Sequence, residues 1–151
     1  TVLYNKEFFN DQTFMLVHAD NLSICDFNAF MDAHYARPSG TEITMMTFMT
    51  DTPQSGGIVE VDANGVVFDF HEKKEKPPSS MANAAVYIIE PSVVRYMMSI
   101  GKNKIDFSLD VIPKFLGKIN TYHNSNYHRD IGTLVSYGLA QIECLKILNI
   151  S

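Results

Sequence analysis

The feature that most narrows the fold is an uninterrupted apolar run at residues 13–18, where Phe14, Met15, Leu16 and Val17 stand side by side. A strand with one wet face alternates apolar and polar residues. A run without alternation fits a strand covered on both faces, as in a mostly parallel sheet flanked by helices. The next segments agree with that layout. Asp26 is an N-cap type of residue ahead of Phe27, Phe30, Met31 and His34, which share one helical stripe, and Arg37-Pro38-Ser39-Gly40 ends the helix. Residues 42–50 return as a strand rich in Thr, Ile, Met and Phe. Strand, helix and strand in this order predict a right-handed crossover, with ligands gathering beyond the strands' carboxyl ends, where Asp20 falls.

Further along, residues 58–61 and 66–70 flank Asp62-Ala63-Asn64-Gly65, whose Asn-Gly step suits a tight hairpin. The charged stretch 72–80, with Pro77-Pro78, reads as a loop, and residues 84–89 as another strand. Pro91 can open a helix through Tyr96 and Met98, and Asp106 or Ser108 can cap a short one containing Pro113. A strand at 119–123 and a last helix capped by Thr133, bearing Leu134, Leu139, Ile142, Leu145 and Leu148, complete the pattern. At the start, Val2, Leu3, Phe8 and Phe9 suggest a short amphipathic helix with no strand before it, so the chain reads as lacking an opening unit.

Composition bounds function. With 151 residues, 46% of them hydrophobic, the chain fits one domain spanning residues 1–151. A net charge of -5 argues against a broad nucleic-acid face, which needs clustered Lys and Arg. Cys25 and Cys144 are far apart and unlike a metal pair, so they are expected as buried thiols in a reducing, cytoplasmic setting. No run is long enough to span a membrane, no signal pattern opens the chain, and no internal repeat is present. The five histidines show no zinc spacing, and the eight methionines are expected to fill core and interface gaps.

Two short motifs carry the chemistry: His18-Ala19-Asp20-Asn21 and Tyr127-His128-Arg129-Asp130-Ile131-Gly132-Thr133. Two carboxylates at the ends of separate strands can share one hard divalent cation such as Mg²⁺, which keeps positions open for substrate phosphates. Plainer readings stand beside this one. Asp20 could be a turn residue, Asp130 a helix cap, Glu72 a solvated charge, Asn83 a strand-entry turn residue, and Gly57 a hairpin requirement.

Taken in order, these segments resemble the sugar-1-phosphate nucleotidyltransferases, and among them the guanylyltransferases acting on mannose- or heptose-1-phosphate. The family's strand and Gly-Asp resemble residues 14–20, its Gly-x-Val-Glu hairpin resembles Gly57-Ile58-Val59-Glu60, and its Glu-Lys-Pro element resembles Glu72-Lys73-Lys74. Its Ala-Asn-Ala-Gly-Ile-Tyr strand resembles Ala82-Asn83-Ala84-Ala85-Val86-Tyr87. Its Asp-Phe-Ser-x-Asp-Val-Ile-Pro segment matches residues 106–113, and its Trp-x-Asp-x-Gly-Thr segment falls within residues 127–133. Ala19, Lys74 and Ala85 depart from the family's glycine, proline and glycine.

The resemblance implies an α/β fold with a Rossmann-like mixed, mostly parallel sheet, lacking its first βαβ unit. It implies Mg²⁺ held by Asp20 and Asp130, Lys73 neutralising the acceptor phosphate, Glu72 and Asn83 binding sugar hydroxyls, and Gly57 letting the sugar approach the backbone. The family's Gly-rich nucleotide-binding signature is absent from this sequence, which therefore resembles the sugar-phosphate and metal half. The implied reaction joins a nucleoside triphosphate, GTP by this resemblance, to a sugar-1-phosphate for polysaccharide assembly. A companion amino-terminal segment or a homo-oligomer is expected to cover the sheet edge left open. A non-catalytic sugar-phosphate-binding regulatory subunit is the alternative.

Overall fold

The computed structural model describes residues 2–9 and 11–148; Thr1 lies outside them. A single turn of 3₁₀ helix, Leu3–Asn5, runs into α1 (Lys6–Phe9), a shorter start than one amphipathic helix. Then come β1 (Phe14–Val17), β2 (Asn21–Ile24), α2 (Phe27–Tyr35), β3 (Ile43–Met49), β4 (Gly57–Val61), β5 (Val67–Glu72), β6 (Met81–Ile89) and α3 (Pro91–Ser99). A π turn at Phe107–Val111 and a 3₁₀ turn at Ile112–Phe115 lead to β7 (Ile119–His123), β8 (Tyr127–Asp130) and α4 (Leu134–Ile147).

Local chemistry sets these boundaries. The Asp26 carboxylate accepts the backbone N–H groups of Asn28 and Ala29 at 2.9 and 3.0 Å, relieving two of the unpaired donors at the start of α2. Asp62 does the same for the β4–β5 turn by accepting from Asn64 and Val66, and Gly65 supplies the positive φ of 76° that the turn needs.

The main sheet has six strands in the order β5-β4-β6-β3-β7, with β1 also on β6. β3 fills one edge of β6, so β1 and β4 share the other. β1, β3, β4 and β7 run in one direction, while β6 and β5 run against them. The sheet is thus mixed and mostly parallel in direction, although β3 and β7 are the only parallel neighbours among the described residues.

Burial is two-sided. Ile43, Met45, Tyr87 and Ile89 face α3 and the turns at 107–115, whereas Met46, Val86 and Ile88 face Phe30 on α2. β3 from Ile43 to Thr47 and β6 from Val86 to Ile89 are sealed on both faces. β1 is only half buried, and its other edge has no partner among the described residues, so its apolar run is not fully covered. The core histidine is satisfied: His34, fully buried, meets Thr44 Oγ1 through Nδ1 at 2.8 Å and Glu90 Oε1 through Nε2 at 3.0 Å. Arg37 donates to the same Glu90 oxygen at 2.6 Å.

Several expectations need correction. Cys25 and Cys144 are partly exposed rather than buried. Met45, Met46 and Met97 fill the core, but Met49 and Met98 are exposed. The stripe on α4 is also exposed: Leu134, Leu139, Ile142, Leu145 and Leu148 all reach solvent, and only Ala140 of that helix is buried. Its apolar residues go around the whole helix rather than gathering on one side, so no single face can bury them. Among the described residues no helix is long and apolar enough to cross a membrane.

Candidate functional site

The sheet opens where β6 changes partner. Its first half meets β4 at Ala82, its second half meets β1 from Val86 onward, and between them Ala85 adopts a left-handed φ of 52°. Asn83 holds this kink: its Oδ1 accepts the Ala85 N–H at 2.9 Å, and its Nδ2 donates to the buried Tyr87 hydroxyl at 2.7 Å. The pairing of β3 with β6 also shifts register between Met45 and Thr47. The result is an open cleft of about 1010 Å³ lined by Asp20, Asn83, Asp130, Phe48, His123 and His128, among others.

A two-stranded ribbon, which the sequence pattern did not reveal, brings the acidic motifs together. β2 and β8 pair antiparallel with Asn21 opposite Asp130 and Ser23 opposite His128. Ile131 N–H donates to the Asp20 carbonyl at 2.7 Å, and Asn21 Nδ2 ties the ribbon to the Ala84 carbonyl of β6 at 3.0 Å. Both carboxylates converge on Gly132. A Cβ there would lie 3.0 Å from Asp130 Oδ1, a tight approach, and 3.6 Å from Asp20 Oδ2, in ordinary contact, so both acids border this position. Asp130 Oδ1 accepts the Gly132 N–H at 2.7 Å, and neither acid is ion-paired within the described residues. Two exposed, adjacent carboxylates beside an open cleft fit a hard cation that keeps water and phosphate ligands.

The other expected residues divide. Asn83 lines the cleft, though part of its bonding capacity is spent on the kink. Gly57, Glu72 and Lys73 stand beyond the rim: neighbouring Gly56 lines the cleft, and its carbonyl accepts the Lys73 N–H at 3.1 Å. Gly57 is paired with Glu72 across β4 and β5. A Cβ on Gly57 would sit 2.4 Å from the Phe70 ring and 3.0 Å from Glu72 Oε2, so this glycine is required sterically. Thr133 caps α4 by accepting the Ser136 N–H at 3.1 Å, and Ser136 Oγ donates to the Asp130 carbonyl.

Residues of the cleft that sequence reasoning did not single out are His128 and the Arg129–Glu143 pair. His128 lies two places before Asp130 on β8, which puts both on one face. Its Nδ1 meets Ser23 Oγ at 2.8 Å and its ring centroid lies 4.2 Å from that of Phe48. Burial holds its pKa down to about 4, against the opposing pull of Asp130. Arg129 grips Glu143 of α4 through two bonds of 2.7 and 2.9 Å, and the Tyr127 hydroxyl donates to the same carboxylate at 2.8 Å. The alternation that would have exposed these roles exists only once β8 is known to be a strand.

Residues 1–146 match the nucleotidyl transferase family. The chain belongs to the sugar-1-phosphate nucleotidyltransferases. A glucose-1-phosphate adenylyltransferase of Thermotoga neapolitana is 30% identical over 153 residues, which cover 94% of this chain and 36% of that protein. The protein of the same name from Mycoplasma mobile is 26% identical over 155 residues, covering 96% of this chain and 41% of its own length. The chain therefore spans well under half the length of these relatives. A Bacillus anthracis structure described as a glucose-1-phosphate thymidylyltransferase in complex with a sucrose superposes with a TM-score of 0.83 at 18% identity, over 94% of this chain and 58% of that one. That likeness establishes the fold of this chain. The relatives' names give adenylyl and thymidylyl transfer, not the guanylyl transfer of the sequence resemblance.

Proposed function

We propose that this chain supplies the sugar-phosphate and metal half of a reaction in which a sugar-1-phosphate and a nucleoside triphosphate form a nucleotide sugar and pyrophosphate. The observation that carries this reading is the convergence of Asp20 and Asp130 on Gly132 beside the cleft. In such a reaction a phosphate oxygen of the sugar forms a bond to the α-phosphorus, the α–β bond breaks in line, and pyrophosphate leaves. The acceptor needs little deprotonation, because the second pKa of a phosphate monoester is about 6. The obstacle is charge. At ~4 Å, two unit charges of like sign repel by about 4 kcal/mol at an effective dielectric of 20, and phosphates carry more than one each.

In this reading Asp20 and Asp130 would hold Mg²⁺, which when bound would supply positive charge to offset the phosphates' repulsion. Lys73 would neutralise the acceptor phosphate from beyond the rim, and Glu72 and Asn83 would receive sugar hydroxyls; Gly57, expected to let the sugar approach the backbone, is buried against the Phe70 ring and serves packing instead. The motif resemblance favours GTP and mannose- or heptose-1-phosphate for surface polysaccharide assembly, whereas the named relatives favour glucose-1-phosphate with another base. A companion segment carrying the nucleotide loop, or a homo-oligomer, completes the site in this reading.

Calorimetry with mannose-1-phosphate and glucose-1-phosphate, with and without Mg²⁺, tests the assignment. Mg²⁺ should tighten binding of one of them, and Asp20→Asn or Asp130→Asn should abolish that gain, on the order of 100-fold for a fixed charge-stabilising group. Binding that ignores both Mg²⁺ and the two acids would favour a regulatory sugar-phosphate subunit instead.

A further inference from the structure

On the β4–β5 hairpin, Glu60, Asp69 and His71 bring three ligand-type atoms within 4.8 Å of one another, the spacing of a metal site. Lys74 argues against that use. Its Nζ lies 2.7 Å from His71 Nδ1, and an ammonium can only donate, so Nδ1 accepts and the ring proton sits on Nε2. That proton points at Glu60 Oε1, 2.6 Å away, with Asp69 Oδ2 at 3.5 Å. The lone pair a metal would need is occupied. The cluster is instead a chain of donors running from Lys74 through a buried imidazole to two carboxylates.

Its location suggests its purpose. Lys73, a non-glycine residue, takes a left-handed φ of 49° in the turn that leaves β5. Two bonds close that turn: Lys73 N–H to the Gly56 carbonyl on the β4 side, and Lys74 Nζ to His71 on the β5 side. Past Lys74, residues 75–78 make no hydrogen bond among the described residues, and the chain is next fastened at Ser79 and Ser80. His71 is 7% exposed and Glu72, its neighbour on the strand, projects to the opposite face, over Gly57.

We infer that His71 and Lys74 are positioning residues, a side-chain tether behind the sheet that fixes the turn presenting Glu72 and Lys73 to the cleft rim. Where the family places a proline after Glu-Lys, this chain achieves stiffness with a donated bond instead of a closed ring. The functional half rests on the proposal that Glu72 and Lys73 meet the sugar phosphate.

The test compares the full chain with Lys74→Met, which keeps the stem and removes the donor, and with Lys74→Arg, which keeps a donor. Glu72→Gln serves as the reference for the pocket. Amide exchange at Lys73 should quicken about tenfold in Lys74→Met, the loss of one hydrogen bond from a charged group, while strands β4 and β5 and the thermal midpoint stay unchanged. Affinity for glucose-1-phosphate should fall about fivefold alongside, through the same loosened turn, and Lys74→Arg should restore both. Unchanged exchange in Lys74→Met, or no rescue by Lys74→Arg, overturns the tether. A loosened turn with full affinity, in a protein whose Glu72→Gln variant binds poorly, overturns the positioning role. If Glu72→Gln binds normally, the pocket assignment fails instead, and the exchange result alone decides the tether.

Discussion

From Ile43 to Thr47, β3 is sealed from solvent at every residue, whereas no residue of the β2–β8 ribbon is buried. The sheet is held by apolar burial on two faces, and the ribbon by polar links: Asn21 to Ala84, Ser23 to His128, and Arg129 to Glu143. The contrast teaches where rigidity lies. A region anchored by a few exchangeable hydrogen bonds can open locally at a fraction of the global stability, as a surface that must admit and release phosphates requires.

Four substitutions and one titration can break that contrast. Phe30→Ala removes a fully buried ring from under the sheet and should lower the unfolding free energy by about 3–5 kcal/mol in a urea titration. A loss as small as a ribbon variant's would mean that the sheet is no better anchored. Acid should act next, also on the sheet side. Burial depresses the His34 pKa, with the Glu90 hydrogen bond opposing and Arg37 assisting, so the unfolded chain takes up the proton first. Stability contributed by neutral His34 should therefore be complete above about pH 6.5 and be lost progressively as the pH falls below it. A His34→Gln protein, measured at pH 7.5 and 5.5, should show less of this decline.

Arg129→Ala should cost about 1 kcal/mol globally, because the pair is partly exposed and screened, yet amide exchange in α4 should accelerate well beyond that of β3. Ala85→Gly should raise stability by about 0.5–1 kcal/mol, since the left-handed φ strains alanine and not glycine. Smallest of all, Leu134→Gln, at a residue 91% exposed, should stay within about 0.5 kcal/mol. A larger loss would place α4 against a partner surface in the working protein.

Legibility in the sequence followed the same division. The strand-helix-strand order of β1, α2 and β3, the Asp62–Gly65 turn and the Asp26 and Thr133 caps are local patterns, and all reappear. β2 and β8 do not, because Asn-Leu-Ser-Ile and Tyr-His-Arg-Asp each offer too few residues for a period, and their pairing is purely long-range. The contact of the His128 and Phe48 rings and the bond from Lys74 to His71 were invisible for the same reason. Both acids could be named from motifs, but only the ribbon explains why they meet. The apolar run at 14–17 pointed to a covered strand; it is only half buried here, with one edge unpartnered among the described residues.

Ser23 and His128, which touch across the ribbon, are 105 positions apart. During synthesis at about 5–20 residues per second, the first acid would wait roughly ten seconds for the strand that brings the second. A nascent chain could bury much of its sheet in that interval while having no means of gripping a cation, so translation itself delays the chemistry until the structural platform is in place.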